Sequence, residues 1–151
     1  MMASTPPTIL VVDDDVGILV AMEKRLTRAG YRVLTAATGP DALACARENA
    51  VDVMTLDVAL GGPFSGLEVA AFLRKDPRIS DIPIVFLTSA ADSRFEEKCR
   101  ASGGTYFLSK PFDFNLLLQL LENISAESIL AEIRWISSAK RRQPAVRARS
   151  F

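Results

Sequence analysis

The 151-residue chain predicts an α/β fold, a doubly wound parallel sheet, from three observations. Short continuous apolar runs alternate strictly with helix-length segments, the order that gives a parallel sheet covered on both faces. The runs are strand-sized and apolar throughout, as strands buried on both faces require. Several of them end in polar residues: Asp13-Asp14-Asp15, Asp57, Thr88 and Lys110-Pro111. In a parallel sheet the carboxyl ends of the strands converge on one crevice, so these residues are expected to meet.

Element by element, Thr8 to Val12 reads as a buried strand after a Pro-containing lead, residues 1–7. Val16 to Ala29 carries Ile18, Leu19, Met22 and Leu26 at the spacing of an amphipathic helix, stopped by Gly30. Tyr31 to Ala36 is a second strand, and Pro40 sits near the start of a helix reaching about Asn49. Val51 to Leu56 is a third strand. Gly61, Gly62, Pro63 and Gly66 mark a loop before a helix from about Leu67 to Lys75. Pro83 opens the fourth strand, as proline does at a strand's first residue. Asp92 to Ala101 is a polar helix, Gly103-Gly104 breaks it, and Thr105 to Ser109 is a short fifth strand. Phe112 to Ile124 is a Leu-rich helix. Ser125 can cap a further helix over 125–139, whose Ile129, Leu130, Ile133 and Ile136 share a face beside Trp135. Residues 140–151 have the composition of a disordered basic tail.

Charge and composition exclude several classes. Lys+Arg and Asp+Glu both number 18, but five bases and no acids fall from Lys140 onward, leaving residues 1–139 with 18 acids against 13 bases. An acidic body argues against a nucleic-acid surface. No apolar run is long enough to cross a membrane, and the amino terminus lacks the basic and apolar regions of a secretory signal. Cys45 and Cys99 fit no CxxC or disulfide framework, so a reducing cytoplasm is the expected location. With no histidine, imidazole catalysis, histidine metal ligation and phosphohistidine on this chain are excluded.

The strand-terminal residues suggest a particular chemistry. Consecutive carboxylates at a strand end repel one another and call for a counter-ion, and hard oxygen donors suit Mg²⁺, although Asp15 also fits a helix cap. Asp57 follows the apolar run VMTL, and a carboxylate there can act as a nucleophile toward phosphorus. The Thr88 or Ser89 hydroxyl fits a helix cap as well as a phosphate contact. Lys110 beside Pro111 places a point charge over the crevice, suited to neutralising phosphate; the bond before Pro111 can be cis.

The run ILVVDDD, the strand-terminal Asp57, FLTS at 86–89 and FLSKPF at 107–112 together resemble the receiver domain of two-component response regulators, over about residues 8–124. The resemblance implies a flavodoxin-like (βα)5 sheet of order 2-1-3-4-5, here with an extra carboxy-terminal helix. It implies Asp57 as phosphoacceptor, Asp14 as a direct ligand of Mg²⁺ (or Mn²⁺), Asp13 acting largely through water, and the Ala59 carbonyl completing the metal site. Thr88 would bond the incoming phosphoryl oxygens, Lys110 would pair with them, and Phe107 takes the switch-aromatic position, turning inward once Thr88 moves. The implied partners are a sensor histidine kinase or phosphotransfer protein, a downstream protein target, and in a possible homodimer a second copy through the 125–139 helix.

The chain departs from the family pattern in places. Leu60-Gly61 stands where such receivers usually have Met-Pro, the loop to Gly66 is one residue longer, and Phe107 replaces the commoner tyrosine. Ala59 and Ala90 occupy the positions that tune dephosphorylation. An aspartyl-phosphate phosphohydrolase would want an acid where Ala59 stands, and a flavodoxin would want a phosphate loop where Asp13 to Asp15 stand, so a turnover enzyme is not expected. The alternative is a phosphorylation-independent pseudo-receiver acting as an interaction or dimerisation module. No separate output domain is expected within the chain.

Overall fold

The computed structural model describes residues 5–89, 93–137 and 149–150. Five parallel strands, β1 (Thr8–Val12), β2 (Arg32–Ala36), β3 (Val53–Asp57), β4 (Ile84–Thr88) and β5 (Tyr106–Ser109), lie in the order 2-1-3-4-5. They alternate with α1 (Val16–Arg28), α2 (Gly39–Glu48), α3 (Gly66–Lys75), α4 (Ser93–Ala101) and α5 (Phe114–Ser137). This is the flavodoxin-like fold expected from the sequence.

The strands with unbroken apolar runs are buried on both faces. One face packs Ile9, Val11, Val53, Val85, Tyr106 and Leu108 against Leu19, Met22 and Leu26 of α1 and Leu117, Leu120 and Leu121 of α5. The other packs Leu10, Val12, Met54, Leu56, Ile84 and Phe86 against Ala42, Leu43, Val69, Ala70, Leu73 and Cys99 of α2, α3 and α4. β2 lies at the edge of the sheet and is correspondingly less buried.

The helix ends follow local chemistry. The Asp15 carboxylate accepts from Ile18 N–H and caps α1, and Thr38 caps α2 with Pro40 in its first turn. Ser65 and Glu68 form a reciprocal capping box at α3. Gly30, at φ +101°, closes α1: its N–H reaches the Thr27 carbonyl and that of Tyr31 reaches Leu26. Arg74 at the end of α3 donates to the carbonyls of Ser80, Ile82 and Gly103 at 2.6–2.9 Å, holding the approach to β4 and the α4–β5 turn together.

At the carboxy terminus the helix expected over 125–139 extends α5, which runs without a break through Ser125 to Ser137, since no glycine or proline interrupts 112–137. Arg149–Ser150 form a two-residue antiparallel strand, β6, on the free edge of β5, with Tyr106 opposite Ser150. The side chains of Ile129, Leu130, Ile133, Trp135 and Ile136, and residues Ala90, Asp92 and 138–148, lie outside the described residues. Among the described residues, no helix is long and apolar enough to cross a membrane.

Candidate functional site

The carboxyl ends of β1, β3, β4 and β5 deliver the predicted residues to one crevice. Asp13 follows β1, Asp57 ends β3, Thr88 ends β4 and Lys110 follows β5. The parallel register sets Asp57 opposite Leu87 and Thr88 opposite Ser109, so the ends are level. Asp13, Asp57 and Thr88 are all buried, whereas Asp14 is exposed.

One carboxylate oxygen each from Asp13, Asp14 and Asp57 lies within 4.8 Å of the others. Lys110 Nζ donates to Asp13 Oδ2 at 3.0 Å and to Asp57 Oδ2 at 3.2 Å. The Lys110–Pro111 peptide bond is cis. Peptide N–H groups hold the remaining oxygens: Asp15 N–H donates to Asp13 Oδ1 at 2.9 Å, Ala59 N–H to Asp57 Oδ1 at 3.1 Å, and Gly61 N–H to Asp14 Oδ2 at 3.1 Å.

Burial raises the Asp57 carboxyl above its ordinary pKa; the Ala59 N–H opposes this, Asp13 adds to it and Lys110 opposes it. Burial by itself would lower Lys110, but the hydrogen bond and charge of Asp13, joined by Asp57, carry its pKa upward. Three carboxylates against one ammonium leave an excess of negative charge in a crevice built of hard oxygen donors. The residues fit a divalent cation such as Mg²⁺.

Two of these contacts carry no signal in the sequence. The resemblance points to the Ala59 carbonyl but not to the Ala59 N–H that orients Asp57, and the sequence does not show Gly61 N–H on Asp14, 47 residues away. Nor does it show why Gly66 is glycine: a Cβ there would lie 2.2 Å from the Asp57 carbonyl oxygen. Phe107 is buried at 3% exposure in the core cluster that also holds Phe86.

The model of the response regulator receiver domain matches residues 9–122, most of the chain and every residue of this crevice. The chain belongs to the response regulator receiver family. This receiver is 38% identical over 111 residues to the transcriptional regulatory protein AfsQ1 of Streptomyces coelicolor, covering 74% of the chain and 48% of that protein. It is 35% identical over 136 residues to the response regulator PleD of Caulobacter vibrioides, covering 89% and 30%. The chain thus spans less than two thirds of the length of these curated relatives. Among solved structures it resembles the chemotaxis response regulator CheY4 of Vibrio cholerae, with TM-score 0.74, 33% identity and coverage of 80% of this chain and 99% of that one. It also resembles the non-phosphorylated HemR receiver domain of Leptospira biflexa, with TM-score 0.70, 33% identity and coverage of 78% and 93%. Receivers of this kind are signalling modules of two-component systems that work with histidine kinases and downstream effectors.

Proposed function

We propose that this receiver accepts a phosphoryl group on Asp57 from the phosphohistidine of a sensor kinase or phosphotransfer protein. The observation that carries the reading is the Asp57 carboxylate at the end of β3, held between the Lys110 ammonium and the Asp13 and Asp14 carboxylates. In the reaction an Asp57 oxygen forms a bond to phosphorus in line with the departing imidazole nitrogen, which keeps the electron pair of the broken P–N bond. Ala59 N–H and Lys110 fix the carboxylate for attack, and Lys110 neutralises the phosphoryl oxygens.

Asp13, Asp14, Asp57 and the Ala59 carbonyl would hold Mg²⁺, or Mn²⁺ in its place. When bound, the cation supplies the positive charge that lets a carboxylate and a phosphoryl group approach. Thr88, at the end of β4, would then bond the phosphoryl oxygens. Movement of Thr88 then vacates space for Phe107 to turn inward, and the readout is a shift between pre-existing arrangements around α4 and β5. The small side chain of Ala59 sets no barrier of its own to water attack on the acyl phosphate.

A groove of about 480 Å³ beside the site supports a protein phosphodonor. Ile18, Met22, Phe112 and Phe114 line it together with Lys110, and Arg25 lies over the Phe114 ring at 3.9 Å. Val16 and Val20 of α1 are exposed, at 66% and 47%. A donor helix seated there would present its imidazole at Lys110. The cytoplasm is the compartment this role implies.

The test is to incubate the protein with a phosphorylated histidine-containing phosphotransfer protein and map the acceptor by borohydride reduction and peptide mass analysis. Modification at Asp57, absent in Asp57→Asn, is the expected result. Persistent labelling of Asp57→Asn at another residue would overturn the assignment. The pseudo-receiver alternative is disfavoured because Asp13, Asp14, Asp57 and Lys110 are all present in the crevice, with Lys110 bonded to Asp13 and Asp57.

A further inference from the structure

One of the three clustered carboxylates is held unlike the other two. Asp13 and Asp57 are buried and share the Lys110 ammonium, and each also accepts a peptide N–H from two residues further along the chain. Asp14 is exposed, and among the described residues its one hydrogen-bond partner is the N–H of Gly61 at 3.1 Å. Two negative neighbours within 4.8 Å push the Asp14 carboxylate toward water, and an exposed side chain has rotamers into which it can escape. The Gly61 N–H opposes both tendencies with a charge-assisted hydrogen bond.

Gly61 suits this task. Its N–H appears in no other described hydrogen bond, so it is free for the carboxylate. A Cβ at this position would stand 3.3 Å from Asp14 Oδ2, close enough that a bulkier side chain would crowd the oxygen it holds. A proline would have no N–H to give. The contact also ties the β1–α1 turn to the loop leading from Asp57 to the Ser65 cap of α3, across 47 residues of sequence.

We propose that Gly61 is a positioning residue for cation binding. Its backbone N–H holds the exposed Asp14 carboxylate in the cluster and couples occupancy of the site to order in the loop between β3 and α3. The inference rests on the reading of Asp13, Asp14 and Asp57 as a Mg²⁺ site. Coupling of this kind is reciprocal: whatever orders the loop strengthens cation binding, and the cation orders the loop.

Calorimetric titration with Mg²⁺ of the wild type, Gly61→Pro and Gly61→Ala tests the proposal without any phosphodonor. Loss of one hydrogen bond to a charged group predicts Mg²⁺ binding weaker by about tenfold or more in Gly61→Pro. Gly61→Ala keeps the N–H and asks only that an exposed carboxylate shift by a few tenths of an ångström, so it stays close to wild type. Equal affinity in wild type and folded Gly61→Pro would overturn the positioning role while leaving the cation site intact. No heat of Mg²⁺ binding by the wild type would strike the underlying site reading and the inference with it. Amide hydrogen exchange of the wild type provides a second measurement that needs no variant at Gly61. The Gly61 N–H should be protected relative to that of Gly62, more so with Mg²⁺, and should lose protection in Asp14→Ala. Exchange as fast as that of Gly62 in every state would overturn the proposal.

Discussion

The Lys110 ammonium lies 3.2 Å from the Asp57 carboxylate although their strands, β5 and β3, do not pair and β4 runs between them. The contact therefore spans the crevice, and the same ammonium reaches Asp13 beyond it at 3.0 Å. Lys110→Met removes the only described cation from two carboxylates whose side chains are 3% and 9% exposed. With Lys110 itself 22% exposed, the cost falls between those of surface and buried pairs. Urea unfolding at neutral pH without metal should show a loss of about 2 kcal/mol, and Mg²⁺ should recover part of it.

Gly66 touches the site through backbone alone. A Cβ would meet the Asp57 carbonyl oxygen at 2.2 Å and Val58 Cα at 2.8 Å, atoms that cannot swing aside. Gly66→Ala should cost about 3 kcal/mol by displacing α3 from the end of β3. At Gly30 nothing lies near the missing Cβ, so Gly30→Ala bears only the left-handed backbone, about 1 kcal/mol. Equal unfolding free energies for the two variants would contradict this distinction.

The hydroxyl of Thr55 is buried in the middle of β3 with no hydrogen-bond partner among the described residues. Thr55→Val keeps the shape and removes a desolvated polar group, so the variant should be more stable by about 1 kcal/mol in denaturant titration. A less stable variant would mean that the hydroxyl has a partner.

Asp76, at the end of α3, accepts from the Arg78 side chain and N–H and from Arg47 Nε at 2.9–3.1 Å. The Arg78 side-chain bond first, then its N–H and Arg47, hold the carboxyl well below the usual range. A depressed folded-state pKa gives stability that is present above the unfolded value, near pH 4, and lost as pH falls toward the folded one. Asp76→Asn should lower the melting temperature at pH 7. The difference should close progressively below about pH 4, and it should narrow in high salt because Arg78 is 70% exposed. A difference independent of pH would contradict the ionic origin.

The fold and the crevice were legible because both follow from short-range pattern. Predominantly apolar runs mark β1, β3 and β4 as buried strands, and Asp13, Asp57, Thr88 and Lys110 are each the residue at or next to a strand end. What was not legible depends on long-range geometry or on the absence of a signal. Ser125 has the side chain of a cap but no helix break before it, so α5 continues. Arg149–Ser150 join β5 only because its outer edge offers unpaired backbone groups, which composition does not report. Gly61 reads as a turn glycine until Asp14 is placed beside it. Phe107 sits with Phe86 in the buried cluster, as its place in an apolar strand leads one to expect.

The central claim is that Asp57 takes up a phosphoryl group in a cation-dependent reaction. Intact-mass analysis after incubation with acetyl phosphate, in Mg²⁺ and in EDTA, tests it most directly. One added phosphoryl group in Mg²⁺, none in EDTA and none in Asp57→Asn is the predicted result. An unchanged mass in Mg²⁺, or the same gain in Asp57→Asn, would contradict it.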